Sequence, residues 1–289
     1  MGLPVFALIT RILLLALEKI VLKFMGDRAG NFYKNLAASF LFFFIGAFIL
    51  LPFAITREID NWHFLLPCFI SALLYSFSSF AYVSSIATGE VSLVAPISSL
   101  NAVVILFFAA IFLGEKITLM KSLGIILMVY GIFILKGAAT PIKSLKAILK
   151  DRPSQLMFAS VVLQSTGRVI DKFFTSEYDP IIYAALLYFI VSFNFFTLLR
   201  LKKKDRLILS SFKEKPIPMV IGGAINGAAY LFLLVAIKSI ELSIVEPLVN
   251  LSIILAMALA ALIFREKLLE KLPGGLLVIL GGWLLAGSA

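Results

Sequence analysis

Ten apolar stretches, each close to the length of a membrane span, fill most of this 289-residue chain. They lie near residues 2–23, 34–55, 64–86, 91–113, 118–136, 155–175, 181–200, 217–237, 242–264 and 271–287. A helix that crosses a bilayer needs about 20 mostly apolar residues. Lipid offers no partner to a free N–H or C=O, and the runs lack the alternation of a barrel strand, so each must be a helix. The chain therefore reads as an all-α membrane protein of ten transmembrane helices. Composition agrees: 61% of residues are hydrophobic and 15% charged, against about 25% charged in soluble domains.

The second half of the chain repeats the first. At one constant shift, without a gap, Glu90 falls on Glu241, Ser92 on Ser243, Pro96 on Pro247, and Glu115-Lys116 on Glu266-Lys267. Gly124 and Gly131 fall on Gly275 and Gly282, and a nearly equal shift puts Glu18-Lys19 on Asp171-Lys172. Register kept across two helices and their connector marks an internal repeat. Each copy holds five runs, an odd number, so the second crosses the membrane in the opposite sense. The expectation is two inverted five-helix repeats, residues 1–137 and 154–289, joined by a basic linker over 138–153. Inverted repeats are typical of secondary transporters, whose sites lie near the midplane between the copies.

The segments Glu90 to Lys116 and Glu241 to Lys267 each run Glu, Ser, a Pro within the membrane, then Glu-Lys at the exit, followed by a glycine-spaced helix. In these motifs the chain resembles the drug/metabolite transporter superfamily, and within it the EamA-type ten-helix carriers, over nearly its whole length. The resemblance implies transport of small organic metabolites, often amino acids or related compounds and often outward. It also implies a multi-pass protein of the cell (inner) membrane with both termini inside.

Ionisable groups at the centre of a span cost about 2.5–3.5 kcal/mol each, so each needs a reason. Arg11 lies near the middle of the first run, and Glu18 shares its face about 10 Å further along the axis. Gln164 and Asp171 hold the same spacing in the sixth run, and Arg168 is placed to pair with Asp171 three residues on. Arg11 either holds a substrate carboxylate, which suits a guanidinium, or pairs with an acid between packed helices. Glu18, Arg168 and Asp171 are read as structural. Glu246 stands inside the ninth run where the repeat has Ala95. Packing alone would accept alanine at both places, so Glu246 is the candidate for proton coupling or for recognising an amine. The alternative is a pair with a basic residue near that membrane face.

Pro96 and Pro247 each remove an N–H and free a carbonyl, a structural role. Ser99, Asn101 and Asn250 cluster around them. Asn194, Asn226 and Tyr230 fall at similar depth, and Tyr75 less closely. Together with Arg11 and Gln164 these form the candidate substrate-binding set. For each, the alternative is a polar tie between helices. Gly124 with Gly131, and Gly275 with Gly282, stand seven apart and so on one face; they are read as a packing seam between the halves.

Nothing in the pattern supports an enzyme. There is no phosphate-cradling glycine loop with lysine and no Ser/His/Asp set, and the lone histidine, His63, cannot build a usual zinc site. The single cysteine, Cys68, excludes an intramolecular disulfide. No cofactor and no metal are expected. The net charge of +10 sits between the apolar runs, where it orients loops and meets anionic headgroups rather than nucleic acid. Its bias puts the odd-numbered connections inside and both termini outside, opposite to what the resemblance implies. The expected partners are a small-molecule substrate and the lipid bilayer, with the chain a monomer or weak homodimer. The other function class is a non-transporting membrane scaffold or sensor, with its polar residues closed into helix packing.

Overall fold

The computed structural model describes residues 2–25, 31–59, 62–88, 97–98, 100–135, 152–174, 177–264 and 272–287. Its helices are α1 (Gly2–Met25), α2 (Phe32–Ile55), α3 (Leu65–Thr88), α4 (Asn101–Leu113), α5 (Leu119–Leu135), α6 (Arg152–Phe173), α7 (Pro180–Leu201), α8 (Arg206–Glu214), α9 (Pro216–Ile237), α10 (Leu242–Val249), α11 (Leu251–Phe264) and α12 (Leu272–Ala286). Every one of the ten apolar runs contains described helix, and α10 with α11 makes up the ninth. By length and composition α2, α7, α9 and residues 65–82 of α3 could each cross a membrane alone. Helices α1 and α6 are as long but carry buried charge, Arg11 on one and Arg168 with Asp171 on the other. They are equivalent helices of the two repeats.

The packing shows the two-fold relation of the halves. α1 packs on α9 as α3 packs on α6, and α1 packs on α11 as α4 packs on α6. α2 meets its own equivalent α7, and α5 meets its own equivalent α12. In the last pair Gly124 abuts Gly281 while Gly131 abuts Gly274, so the contact runs backwards along one helix as it advances along the other. Equivalent helices that lie antiparallel require the repeats to be inverted.

Small residues set the closest approaches. A Cβ at Gly131 would lie 2.6 Å from the Gly274 carbonyl oxygen, and one at Gly124 would lie 2.8 Å from that of Gly281. The seam of the tenth span is thus Gly274 and Gly281, one residue before the expected Gly275 and Gly282. A Cβ at Gly275 would meet nothing within 4 Å, and one at Gly282 only ordinary contacts. The shift corrects a register drawn from sequence equivalence, which does not specify the rotation at which two helices meet. Gly223 and Gly227 of α9 similarly admit Ile45 and Gly46 of α2.

Between α3 and α6 the ties are polar. Ser71, Ser78 and Ser85 stand seven apart and donate to the carbonyls of Gly167, Ser160 and Pro153 at 3.5, 3.0 and 2.7 Å. The descending partner numbers make this pair antiparallel as well. Such hydroxyl bonds hold helices together where lipid gives no hydrophobic drive.

Helices α2 and α7, equivalent in the repeats, both open on a side-chain cap. Asn31 accepts from Tyr33 and Lys34 N–H, and Asp179 from Ile181 and Ile182 N–H, which satisfies donors the helix leaves open. The short α8 falls between the seventh and eighth apolar runs, where no helix is expected from hydropathy. Its apolar side chains Ile208 and Phe212 pack with Leu41 and Met219. Large apolar side chains such as Phe48, Phe77, Phe193 and Trp283 point outward, a belt that suits lipid.

Candidate functional site

The ninth span breaks where Pro247 can donate no hydrogen bond. Asn250 N–H turns back to the Pro247 carbonyl at 2.9 Å, ending α10, and α11 begins one residue later. Pro96, its repeat equivalent, lies outside the described residues, as does Ser99. The fourth span resumes at Asn101, the first residue of α4. Glu246, just before the break of the ninth span, and Asn101, at the start of α4, come together inside the bundle.

Glu246, 4% exposed, is the hub. Its Oε1 lies 3.3 Å from Arg11 Nη2 and 3.3 Å from Arg168 Nε, and its Oε2 accepts from Asn101 Nδ2 at 3.3 Å. Asn101 Oδ1 accepts from Ser165 Oγ at 2.6 Å, and Arg11 Nη1 donates to the Ala229 carbonyl at 2.8 Å. Three helices reach this one carboxylate on α10, α1 and α4 from the first repeat and α6 from the second, and α9 joins the cluster through Arg11. Arg11 and Arg168 are buried at 3% and 8% exposure, so the charges are screened by each other and not by water.

Arg168 does not pair with Asp171 as its spacing predicts. Asp171 is taken by phenols instead. Tyr75 and Tyr230 both donate to its Oδ2 at 2.7 Å, and Tyr183 donates to its Oδ1 at 2.8 Å. Tyr75 and Tyr230 come from α3 and α9, equivalent helices of the two halves, and their rings meet edge to face at 5.9 Å. The Arg168 guanidinium lies over both rings, 5.5 and 5.7 Å from their centroids, a cation–π arrangement. With Asp171 saturated by phenols, Arg168 turns to Glu246 across the bundle.

Tyr178, in the connection between α6 and α7, donates to the Asp171 carbonyl at 2.7 Å. Burial and then the charge of Asp171 push its phenol well above the ordinary tyrosine range. The polar column thus runs inward from Tyr178 through Asp171 and Arg168 to Glu246 and Arg11.

The remaining candidates lie at or beyond its edge. Asn226 Oδ1 accepts from Tyr188 at 3.0 Å, beside Tyr230. Asn194 donates to Ser76 at 3.0 Å, tying α7 to α3. Gln164 is half-buried next to Ser165 and makes none of the bonds that hold Glu246. Asn250 and Pro247 form the break itself. Glu18 is half-buried on α1, and its charge acts on Arg11.

Sequence reasoning did not single out Tyr183, Tyr178 or Ser165, whose partners lie on other helices. Glu241 pairs with the buried Lys121, and Glu115 reaches over from the connector between α4 and α5. Its two carboxylate oxygens accept from Leu242 N–H at 2.8 Å and Ser243 N–H at 3.0 Å. One repeat therefore caps the broken span of the other.

Among the described residues, no group of His, Cys, Asp and Glu could hold a metal ion. A hollow of about 210 Å³ lies between α4 and α6, lined by Phe108, Phe112, Ile170 and Phe173 among others. It sits on the opposite face of α6 from Arg168 and is apolar.

The model of the EamA-like transporter family matches residues 5–136 and 154–288. No curated protein matches the chain. One solved structure, described only as a crystal structure of a protein, superposes with a TM-score of 0.73 over 99% of this chain and 98% of that one, at 14% identity. That likeness is one of fold.

Proposed function

The chain belongs to the EamA-like transporter family, membrane transporters of small molecules, and we propose that it exports small organic metabolites, such as amino acids or related compounds, by alternating access. The supporting observation is the buried Glu246 carboxylate, which both repeats grip beside the break of the ninth span. Residues 1–137 and 154–289 are the two rocking units, with 138–153 as the link between them. The site is the set built on Arg11, Asn101, Tyr75 and Tyr230, and Glu246 couples transport to protons. The closed cluster corresponds to an occluded stage of the cycle. The membrane is the cell (inner) membrane.

A non-transporting scaffold would also close its polar residues into packing. Two features weigh against it. The first repeat builds the same fold with alanine at the equivalent position, and the ninth span is interrupted beside the cluster. The test is purified protein in liposomes, given a panel of amino acids and related metabolites with and without a proton gradient. The parent moves at least one solute, and Glu246→Gln and Arg11→Ala each slow it tenfold or more. A parent that moves nothing, or two variants at the parental rate, would overturn this reading.

A further inference from the structure

We infer that the transported compound carries a carboxylate which Arg168 receives, and that in the closed protein Glu246 holds that carboxylate's place. The inference rests on the cluster being the transport site. Two guanidiniums bring ten N–H donors into the bundle. The acceptors placed on them are the Ala229 carbonyl and a single oxygen of Glu246 that both arginines share. Arg11 Nε and Arg168 Nη1 are buried without an acceptor, and Arg168 Nε, though 3.3 Å from Glu246 Oε1, is not aligned to donate to it. Asp171 balances charge nearby, but its oxygens already take three phenol hydroxyls.

The geometry of Arg168 selects what can fill this deficit. Tyr75 and Tyr230 lie together against its guanidinium, and its N–H edge, with Nε and Nη1 lacking an acceptor, is what remains to be filled. An edge of parallel N–H groups matches a carboxylate and offers nothing to an ammonium or an apolar group. Glu246 supplies a carboxylate there now, with long contacts, from a short helix that ends two residues after Pro247. An incoming carboxylate competes for the same edge. Arg168 is thus the specificity-determining residue, and Glu246 the internal competitor.

The test measures thermal stabilisation of the purified full-length protein by matched sets of compounds. The sets are aliphatic and aromatic monocarboxylates and amino acids, each beside its primary amide, with the corresponding amines as a third arm. At least one carboxylate stabilises the parent and its amide does not. Arg168→Lys, which keeps the charge and loses the fork, weakens that binding about tenfold or more. Glu246→Gln, which removes the competitor, tightens it about tenfold. Stabilisation by amides or amines as strong as by the acids, no stabilisation by any acid, or weaker binding in Glu246→Gln would overturn the inference. The two readings fail separately. Transport of a neutral or cationic solute that is untouched by Arg168→Lys removes the carboxylate and leaves a transporter. Carboxylate binding without flux in liposomes does the reverse.

Discussion

Helices α1 and α6 hold equivalent places in the two repeats and carry different chemistry. α1 presents Arg11 and Glu18; α6 presents Gln164, Arg168 and Asp171. The ninth span adds Glu246, where the fourth has Ala95. Away from this cluster the halves agree. Equivalent helices pack on equivalent partners, α2 and α7 open on matching caps, and α5 and α12 meet along glycines. Symmetry is kept where the repeats must fit together and is lost where polar groups converge. A scaffold of two inverted copies can exchange its inward and outward shapes, while an asymmetric interior can favour one ligand.

Making the halves alike is the strongest way to break that contrast. Glu246→Ala gives the ninth span the residue of the fourth and leaves two buried guanidiniums without their shared anion. Removing one partner of a buried ionic group costs about 3–5 kcal/mol. Thermal unfolding in detergent should fall accordingly, and transport should cease. Stability within about 1 kcal/mol of the parent would mean that the asymmetry has no structural consequence.

The tyrosines test a place inside the cluster where both halves contribute alike. Tyr75→Phe and Tyr230→Phe each remove one hydrogen bond to the same Asp171 oxygen, about 1.5–3 kcal/mol for a bond to a charged group. The two losses should be similar by the same unfolding measurement, and a cost confined to one would make the other contact incidental.

The glycine seam gives a smaller and more discriminating contrast. Gly131→Ala pushes a methyl against the Gly274 carbonyl and should cost about 1–3 kcal/mol. Gly275→Ala, at the position where sequence equivalence draws the seam, meets open space and should be neutral or stabilising by up to about 1 kcal/mol. Equal penalties would restore the seam to Gly275.

The smallest expected effect lies outside the membrane. Arg200 donates to Asp205 at 2.8 Å and holds its carboxyl below the usual range. A depressed folded value gives stability that is full above the unfolded value near pH 4 and fades as pH falls through the folded one. Asp205→Asn should flatten only that acid limb, and salt should do the same because the pair is exposed. Unfolding curves below and above pH 4 read this directly.

The spans were legible because hydropathy is a local signal with a length fixed by the bilayer. The repeat was legible because Glu, Ser, Pro and Gly kept their order. The helix α8 was hidden by its nine-residue length and by charges at both ends, Arg206 and then Lys213 with Glu214. Partner choice was the other gap. Spacing along α6 suggests that Arg168 meets Asp171, yet three tyrosines from other helices claim the acid. The cap from Glu115 to α10 is equally non-local, because only the fold brings that connector to a helix more than a hundred residues away.

The central claim is that the Glu246 cluster is reached from either side of the membrane in turn. Ser165, fully buried and bonded to Asn101, is the position to probe. Ser165→Cys in a Cys68→Ala background would be treated with a membrane-impermeant thiol reagent from each side of sealed vesicles. The account predicts labelling from both sides, slowed from either by a transported solute. Labelling from neither side, or from one side only whatever solute or gradient is applied, would contradict it.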